Sequence, residues 1–169
     1  RGLGGINPLG FGWRGGNGRS FQTPEAVLTY TDQGLNALSQ QLGDFYDHHL
    51  LNPHFVNQER PILINNWEAT FMDFTEDKLM PIVKRAKELG IEMFVLDDGW
   101  FGHRDDDHSS LGDWFTDEKK FNQGIGGFAN RVHELGLKFG LWFEPEMISI
   151  DSKLYQAHPD WLIATPGRK

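Results

Sequence analysis

Three apolar, strand-like runs, two helical stripes between them and a tryptophan near the end of every run predict an α/β fold for this 169-residue chain. The architecture expected is part of a (β/α)8 TIM barrel, about three βα units, preceded by a short β segment and a linker helix. Its most specific stretch is Ile91-Glu92-Met93-Phe94-Val95-Leu96, which runs directly into Asp97-Asp98-Gly99-Trp100. Apolar strand bodies with polar tips are how a parallel α/β barrel builds a site at one end.

The elements follow in chain order. Residues 1–20 are glycine-rich and read as irregular loop or as the tail of a preceding domain. Phe21 to Tyr30 carries Phe21, Ala26-Val27-Leu28 and Tyr30 around Pro24, the pattern of a short or edge strand. Leu35, Leu38, Leu42, Phe45 and His49 recur at three- and four-residue steps, which predicts a helix from about Asp32 to Leu51. Asp32 is its expected cap and Asn52-Pro53 its stop, with a polar linker over 54–60. The domain division expected is therefore 1–30 as the tail of an earlier domain, 31–60 as linker helix and loop, and 61–169 as barrel.

From Pro61 the pattern repeats. Pro61-Ile62-Leu63-Ile64 is a short strand ending in Asn65-Asn66-Trp67-Glu68. A helix follows, with Thr75 as cap, Glu76 and Asp77 in the first turn, and Leu79, Ile82, Val83, Ala86 and Leu89 as its apolar stripe. Pro81 marks a kink or a late start. After the Ile91–Leu96 strand and a long loop, a turn at Asn122 leads into a second stripe of Ile125, Phe128, Ala129, Val132 and Leu135. Leu137 to Phe143 is the third strand. The junctions Glu88-Leu89-Gly90-Ile91 and Glu134-Leu135-Gly136-Leu137 match in kind, 46 residues apart. That spacing suits a βα unit with a long loop, and short αβ turns mean a parallel sheet with right-handed crossovers. A full barrel needs roughly 250 residues, so residues 61–169 are expected to supply only part of one. The first residue is Arg and the chain stops at Gly167-Arg168-Lys169, which suggests a piece of a longer protein.

Composition narrows the function. A formal net charge of −8 argues against nucleic acid and anionic membrane as partners. With no cysteine, disulfides and thiolate metal sites are excluded. No apolar run of about 18 residues is present to span a membrane. Phosphate-cradling glycine loops and nucleophile-elbow serines are also missing.

The polar residues gather at the C-terminal tips of the strands: Asn65-Asn66-Trp67-Glu68, Asp97-Asp98-Gly99-Trp100 and Trp142-Phe143-Glu144-Pro145-Glu146. Carboxylates accept sugar hydroxyls and an indole offers a flat apolar face. Glycoside hydrolysis uses two carboxyl groups at a set spacing. Neighbouring strand residues face opposite ways, so Asp97 and Asp98 suit two hydroxyls on a sugar rim better than an acid–nucleophile pair. Trp142 can stack on a ring, and Glu144 and Glu146 can orient a neighbour or simply cap a loop. A metal site built from strand-tip carboxylates is the competing chemistry. Asp105-Asp106-Asp107 lacks the spacing of a calcium loop and reads as a solvated acidic loop. His103 and His108 read as loop or rim residues.

Four motifs together resemble the bacterial α-galactosidases of glycoside hydrolase family 36. They are Asn65-Asn66-Trp67-Glu68-Ala69-Thr70, Leu96-Asp97-Asp98-Gly99-Trp100-Phe101-Gly102, Ser109-Ser110-Leu111-Gly112-Asp113-Trp114 and Gly140-Leu141-Trp142-Phe143-Glu144-Pro145-Glu146-Met147. The resemblance runs from about Phe21 to the end. It implies a (β/α)8 barrel preceded by a β-sandwich domain, of which residues 1–30 would be the tail. It also implies retaining release of terminal α-galactose from melibiose- or raffinose-type sugars, without metal or organic cofactor. Asp97 and Asp98 would bind galactose hydroxyls, and Trp67 and Trp142 would line the pocket. A cytoplasmic bacterial enzyme assembled as a homo-oligomer, a tetramer, is the further implication. The family's nucleophile sits in a Lys-x-Asp-x-Asn motif that this sequence lacks, so both catalytic residues are expected beyond Lys169. Two other readings stay open: an inactive carbohydrate-binding fragment, and a carboxylate–metal barrel lyase.

Overall fold

A computed structural model describes residues 5, 6 and 11–164. The expectations for the remainder of 1–10 and for Gly167-Arg168-Lys169 lie outside the described residues. The chain divides into two units, residues 1–59 with 165–169, and residues 60–164.

In the first unit, helix α1 spans Gly34–Phe45, continues as a π-helical turn over Tyr46–Leu50, and is followed by the short helix α2, Pro53–Val56. Leu38, Leu42 and Phe45 of the predicted stripe are half-buried, whereas Leu35 and His49 are exposed. Asp32 does not cap α1. Its carboxylate accepts from Gln33 Nε2 at 2.7 Å, and Gln33 occupies the cap position without a side-chain bond to the helix N–H groups. Asn52-Pro53 both stops one helix and starts the next, because Asn52 Oδ1 accepts the His54 N–H at 3.0 Å. The strand expected within Phe21–Tyr30 does not form; these residues carry no regular secondary structure. Pro24 removes a ladder donor, and Phe21 packs instead against Phe11 and Trp13, with ring centroids 5.4 and 5.1 Å away.

The second unit is built on three parallel strands, β1 Leu63–Asn65, β2 Met93–Leu96 and β3 Lys138–Leu141, in the order β1-β2-β3. Register pairs Leu63 with Met93 and Met93 with Lys138. Helix α3, Trp67–Thr70, is a single turn directly after β1 that no periodicity in the sequence announces. Helix α4, Glu76–Glu88, connects β1 to β2, and α5, Gly124–Glu134, connects β2 to β3. Pro81 stands inside α4, which continues through it, so it is not a late start. Helix α6, Lys153–Ala157, follows β3.

The repeated junction has a repeated geometry. Gly90 and Gly136 have φ of 83° and 79°. The Gly90 N–H donates to Lys87 O and the Ile91 N–H to Ala86 O, at 3.1 and 3.0 Å. The Gly136 and Leu137 N–H groups donate equivalently to His133 O and Val132 O, at 2.8 and 3.4 Å. Both helices thus end in the Schellman pattern, which satisfies terminal carbonyls through a left-handed residue that favours glycine.

Alternation along β2 sorts its residues onto two faces. Phe94 and Leu96 are fully buried in a core with Leu79 and Val83 of α4 and Phe128 and Val132 of α5. Phe139 of β3 joins this helix-covered face, 5.7 Å from Phe128. The opposite face carries Met93 and Val95, only half-buried, with Leu63 and Lys138 exposed beside them. Parallel sheets are ordinarily covered on both faces, whereas the described residues of this unit cover one.

Candidate functional site

The strand register decides which tip residues share a face. Asn65 aligns with Val95, and Val95 with Gly140. Two residues further along stand Asp97, bonded to Asn65, and Trp142, packed against the core beside Phe101. The ladder holds beyond the strands, since the Trp142 N–H donates to Leu96 O at 2.9 Å.

The first tip grips the second. Asn65 Nδ2 donates to Asp97 Oδ2, while Asn65 Oδ1 accepts the Trp67 N–H at 2.6 Å. Fully buried Asn66 accepts the Asp97 N–H on Oδ1 at 2.9 Å and donates from Nδ2 to Thr70 Oγ1 at 2.9 Å. Asp97 Oδ1 accepts the N–H of Asp98 at 2.7 Å. The second and third tips are joined by Trp100, whose Nε1–H donates to Trp142 O at 3.0 Å.

Asp97 and Asp98 go separate ways, as their adjacency requires. Asp97 is half-buried at the β2 tip, against Asn65 of β1, while Asp98 is 6% exposed and turned to the loop after β2. Arg104 holds both its oxygens, Nε to Oδ1 at 2.8 Å and Nη2 to Oδ2 at 2.7 Å. Hydrogen bonding to Asp98 pushes the Arg104 guanidinium above its ordinary value, against the opposing effect of burial, with the charges of Asp98, Glu144 and Asp107 adding to the rise. Gly99 follows with φ of 101°, and a Cβ there would stand 3.2 Å from Met72.

The aromatic residues fall into two groups. Trp67 is half-buried and meets Phe71 edge-on at 5.3 Å. Trp142 is half-buried and lies parallel to Phe101, centroids 6.3 Å apart, with Trp114 at 6.5 Å. Glu144 is half-buried near Arg104, whereas Glu146 is exposed.

The remaining polar residues serve the loops. Asp105 Oδ1 pairs with Lys120 Nζ at 2.9 Å, and Asp106 Oδ1 accepts the His108 N–H at 2.9 Å. His103 bridges Ser110 Oγ and Asp151 Oδ2, at 2.9 and 3.0 Å, but Ser110 is fully buried. Asp113 accepts the first N–H groups of α6, Lys153 at 3.1 Å and Leu154 at 3.3 Å. Among the described residues no three His, Asp or Glu side chains gather closely enough to hold a metal ion, and no helix is long and apolar enough to cross a membrane. Asn65, Asn66 and Arg104 are site residues that sequence reasoning misses. The asparagines stand in the first tip motif, so a signal for them exists; Arg104 reads as the start of an acidic loop.

A strand-tip surface offering carboxylate and amide groups beside indole rings has the chemistry of a sugar site. The chain belongs to the Melibiase family, whose pattern matches residues 20–169. It is 62% identical over 164 residues to α-galactosidase 1 of Pediococcus pentosaceus, covering 97% of this chain and 22% of that protein. It is 56% identical to α-galactosidase AgaA of Geobacillus stearothermophilus, again covering 97% of this chain and 22% of that protein. Among solved structures, the α-galactosidase of Lactobacillus brevis superposes with a TM-score of 0.89 at 65% identity, over 98% of this chain and 22% of that one. A substituted AgaA in complex with raffinose superposes with a TM-score of 0.90 at 55% identity, over 98% of this chain and 23% of that one. The chain therefore spans about a fifth of the length of these relatives.

Proposed function

We propose that this chain is the substrate-binding opening of the (β/α)8 barrel of a retaining α-galactosidase, which releases terminal α-galactose from melibiose- or raffinose-type oligosaccharides. The observation that carries the reading is the side-chain bond that joins Asn65 and Asp97 at the first two strand tips, with Trp142 at the third, in a chain of the Melibiase family. Asp97 and Asp98 accept galactose hydroxyls. Trp67 and Trp142 give the ring apolar walls. Charge-assisted bonds from hydroxyls to ionised carboxylates are stronger than neutral ones and fix orientation. Further βα units would cover the exposed sheet face, and the nucleophile and acid/base would come from beyond Lys169, since no Lys-x-Asp-x-Asn motif occurs here. No metal or organic cofactor is required by this chemistry. A preceding β-sandwich, cytoplasmic location and homo-oligomeric assembly belong to the same proposal and rest on the family resemblance.

The test is hydrolysis of a chromogenic α-galactoside by the protein of the unbroken reading frame and by the 169-residue chain alone. Activity in the long form only is expected. No activity in the long form would overturn the reading.

A further inference from the structure

Asp98 is held in a way that its neighbour Asp97 is not. Arg104 is 3% exposed and lies in a fork on both Asp98 oxygens, with its Nη1 donating to Ser109 O at 2.7 Å. The fork itself is anchored. Lys120 Nζ donates to Gly99 O at 2.8 Å and to Arg104 O at 3.1 Å, so one ammonium ties both ends of the segment between Asp98 and Arg104. The same ammonium reaches Met72 O at 3.1 Å, and Asp105 balances its charge. The loop also folds back on itself, with the Gly102 N–H on Phe115 O at 2.8 Å and the Asp117 N–H on Trp100 O at 3.0 Å.

We infer that Arg104 is a positioning residue for the galactoside: it locks the Asp98 carboxylate in one orientation, with Lys120 bracing the loop that carries the fork. The inference rests on Asp98 being a substrate acceptor, as proposed above. A carboxylate has about four acceptor sites, and a bidentate guanidinium takes two. The other two stay available to hydroxyls at a fixed angle. A carboxylate already held in place need not be ordered when substrate binds. Lysine cannot replace the planar fork.

The experiment uses the full-length enzyme and a chromogenic α-galactoside, with Arg104→Gln, Arg104→Lys, Asp98→Asn and the Asp98→Asn/Arg104→Gln pair. Folding is checked by circular dichroism and melting temperature. Arg104→Gln should lower kcat/KM by roughly 100-fold, with kcat falling more than KM rises. Arg104→Lys should lower kcat/KM by at least about tenfold, because the charge stays and the fork goes. The double variant should be little worse than Asp98→Asn, since both changes remove one unit. Folded variants with kcat/KM within about threefold of wild type would overturn the inference. If Arg104→Gln does not fold, Arg104→Lys alone decides it. A wild-type rate in Asp98→Asn would instead sink the reading of Asp98 as a substrate acceptor, on which the inference depends.

Discussion

Asn66 accepts the backbone N–H of Asp97 at 2.9 Å, binding the end of β1 to the end of β2 through a side chain with no solvent exposure. The amide's other end is held by Thr70 in the helical turn after β1. One asparagine therefore sets the spacing between two strand tips and ties the turn Trp67–Thr70 to them. Truncation would strand the Asp97 N–H, while the Thr70 hydroxyl keeps its bonds to the Asn66 and Phe71 carbonyls. Asn66→Ala should lower stability by about 1–3 kcal/mol, the range for an orphaned buried polar group, read as a fall in the urea midpoint. Asn65 is exposed, so Asn65→Ala should move that midpoint much less.

Glycine substitutions separate backbone strain from crowding. At Gly90 a Cβ would meet nothing within 4 Å, so only its φ of 83° opposes alanine. Gly90→Ala should destabilise by about 1–2 kcal/mol, the strain of a left-handed residue. Gly99 has φ of 101°, and an alanine methyl there would stand 3.2 Å from Met72 atoms, so Gly99→Ala should be worse in the same melting assay and should also reduce activity through Asp98.

Acidification offers a check on the surface pair. Hydrogen bonding from Lys78, 2.7 Å away, holds Asp73 below its ordinary value of 3.8. A carboxylate lowered on folding stabilises above its unfolded value, and that contribution disappears as pH falls through the lowered one. Asp73 is exposed, so the pair contributes little. Asp73→Asn should leave the melting temperature at pH 7 almost unchanged, and any difference should vanish as pH drops below about 3.8.

Substrate binding should divide between the two kinds of wall. Asp97→Asn in the full-length enzyme should cut kcat/KM for a galactoside by roughly 100-fold, because a charge-assisted bond is lost. Trp142→Ala should raise KM more than it lowers kcat, as a lost apolar wall affects ground and transition states alike. Steady-state kinetics on both variants distinguishes the two effects.

The strands and helices of the second unit are legible in the sequence because their signals are local. The helical stripe of α4, the apolar run of β2 and the twin Leu-Gly junctions lie within a few residues, and a helix, a strand and two matching turns form there. Interactions that close over long separations are not legible. The Asn66 grip on Asp97 spans 31 residues, and Lys120 reaches Met72 across 48; no periodicity encodes either. Arg104 is hidden by its place beside Asp105-Asp106-Asp107, where a charged run suggests solvent. Phe21–Tyr30 shows the reverse error: strand-like composition forms no strand without a partner to bond.

The most direct test is a crystal structure of the full-length protein with galactose bound. The account predicts sugar hydroxyls within about 3.2 Å of the Asp97 and Asp98 oxygens, with the ring bordered by Trp67 and Trp142. Galactose bound elsewhere, or at these tips without touching either carboxylate, would contradict it.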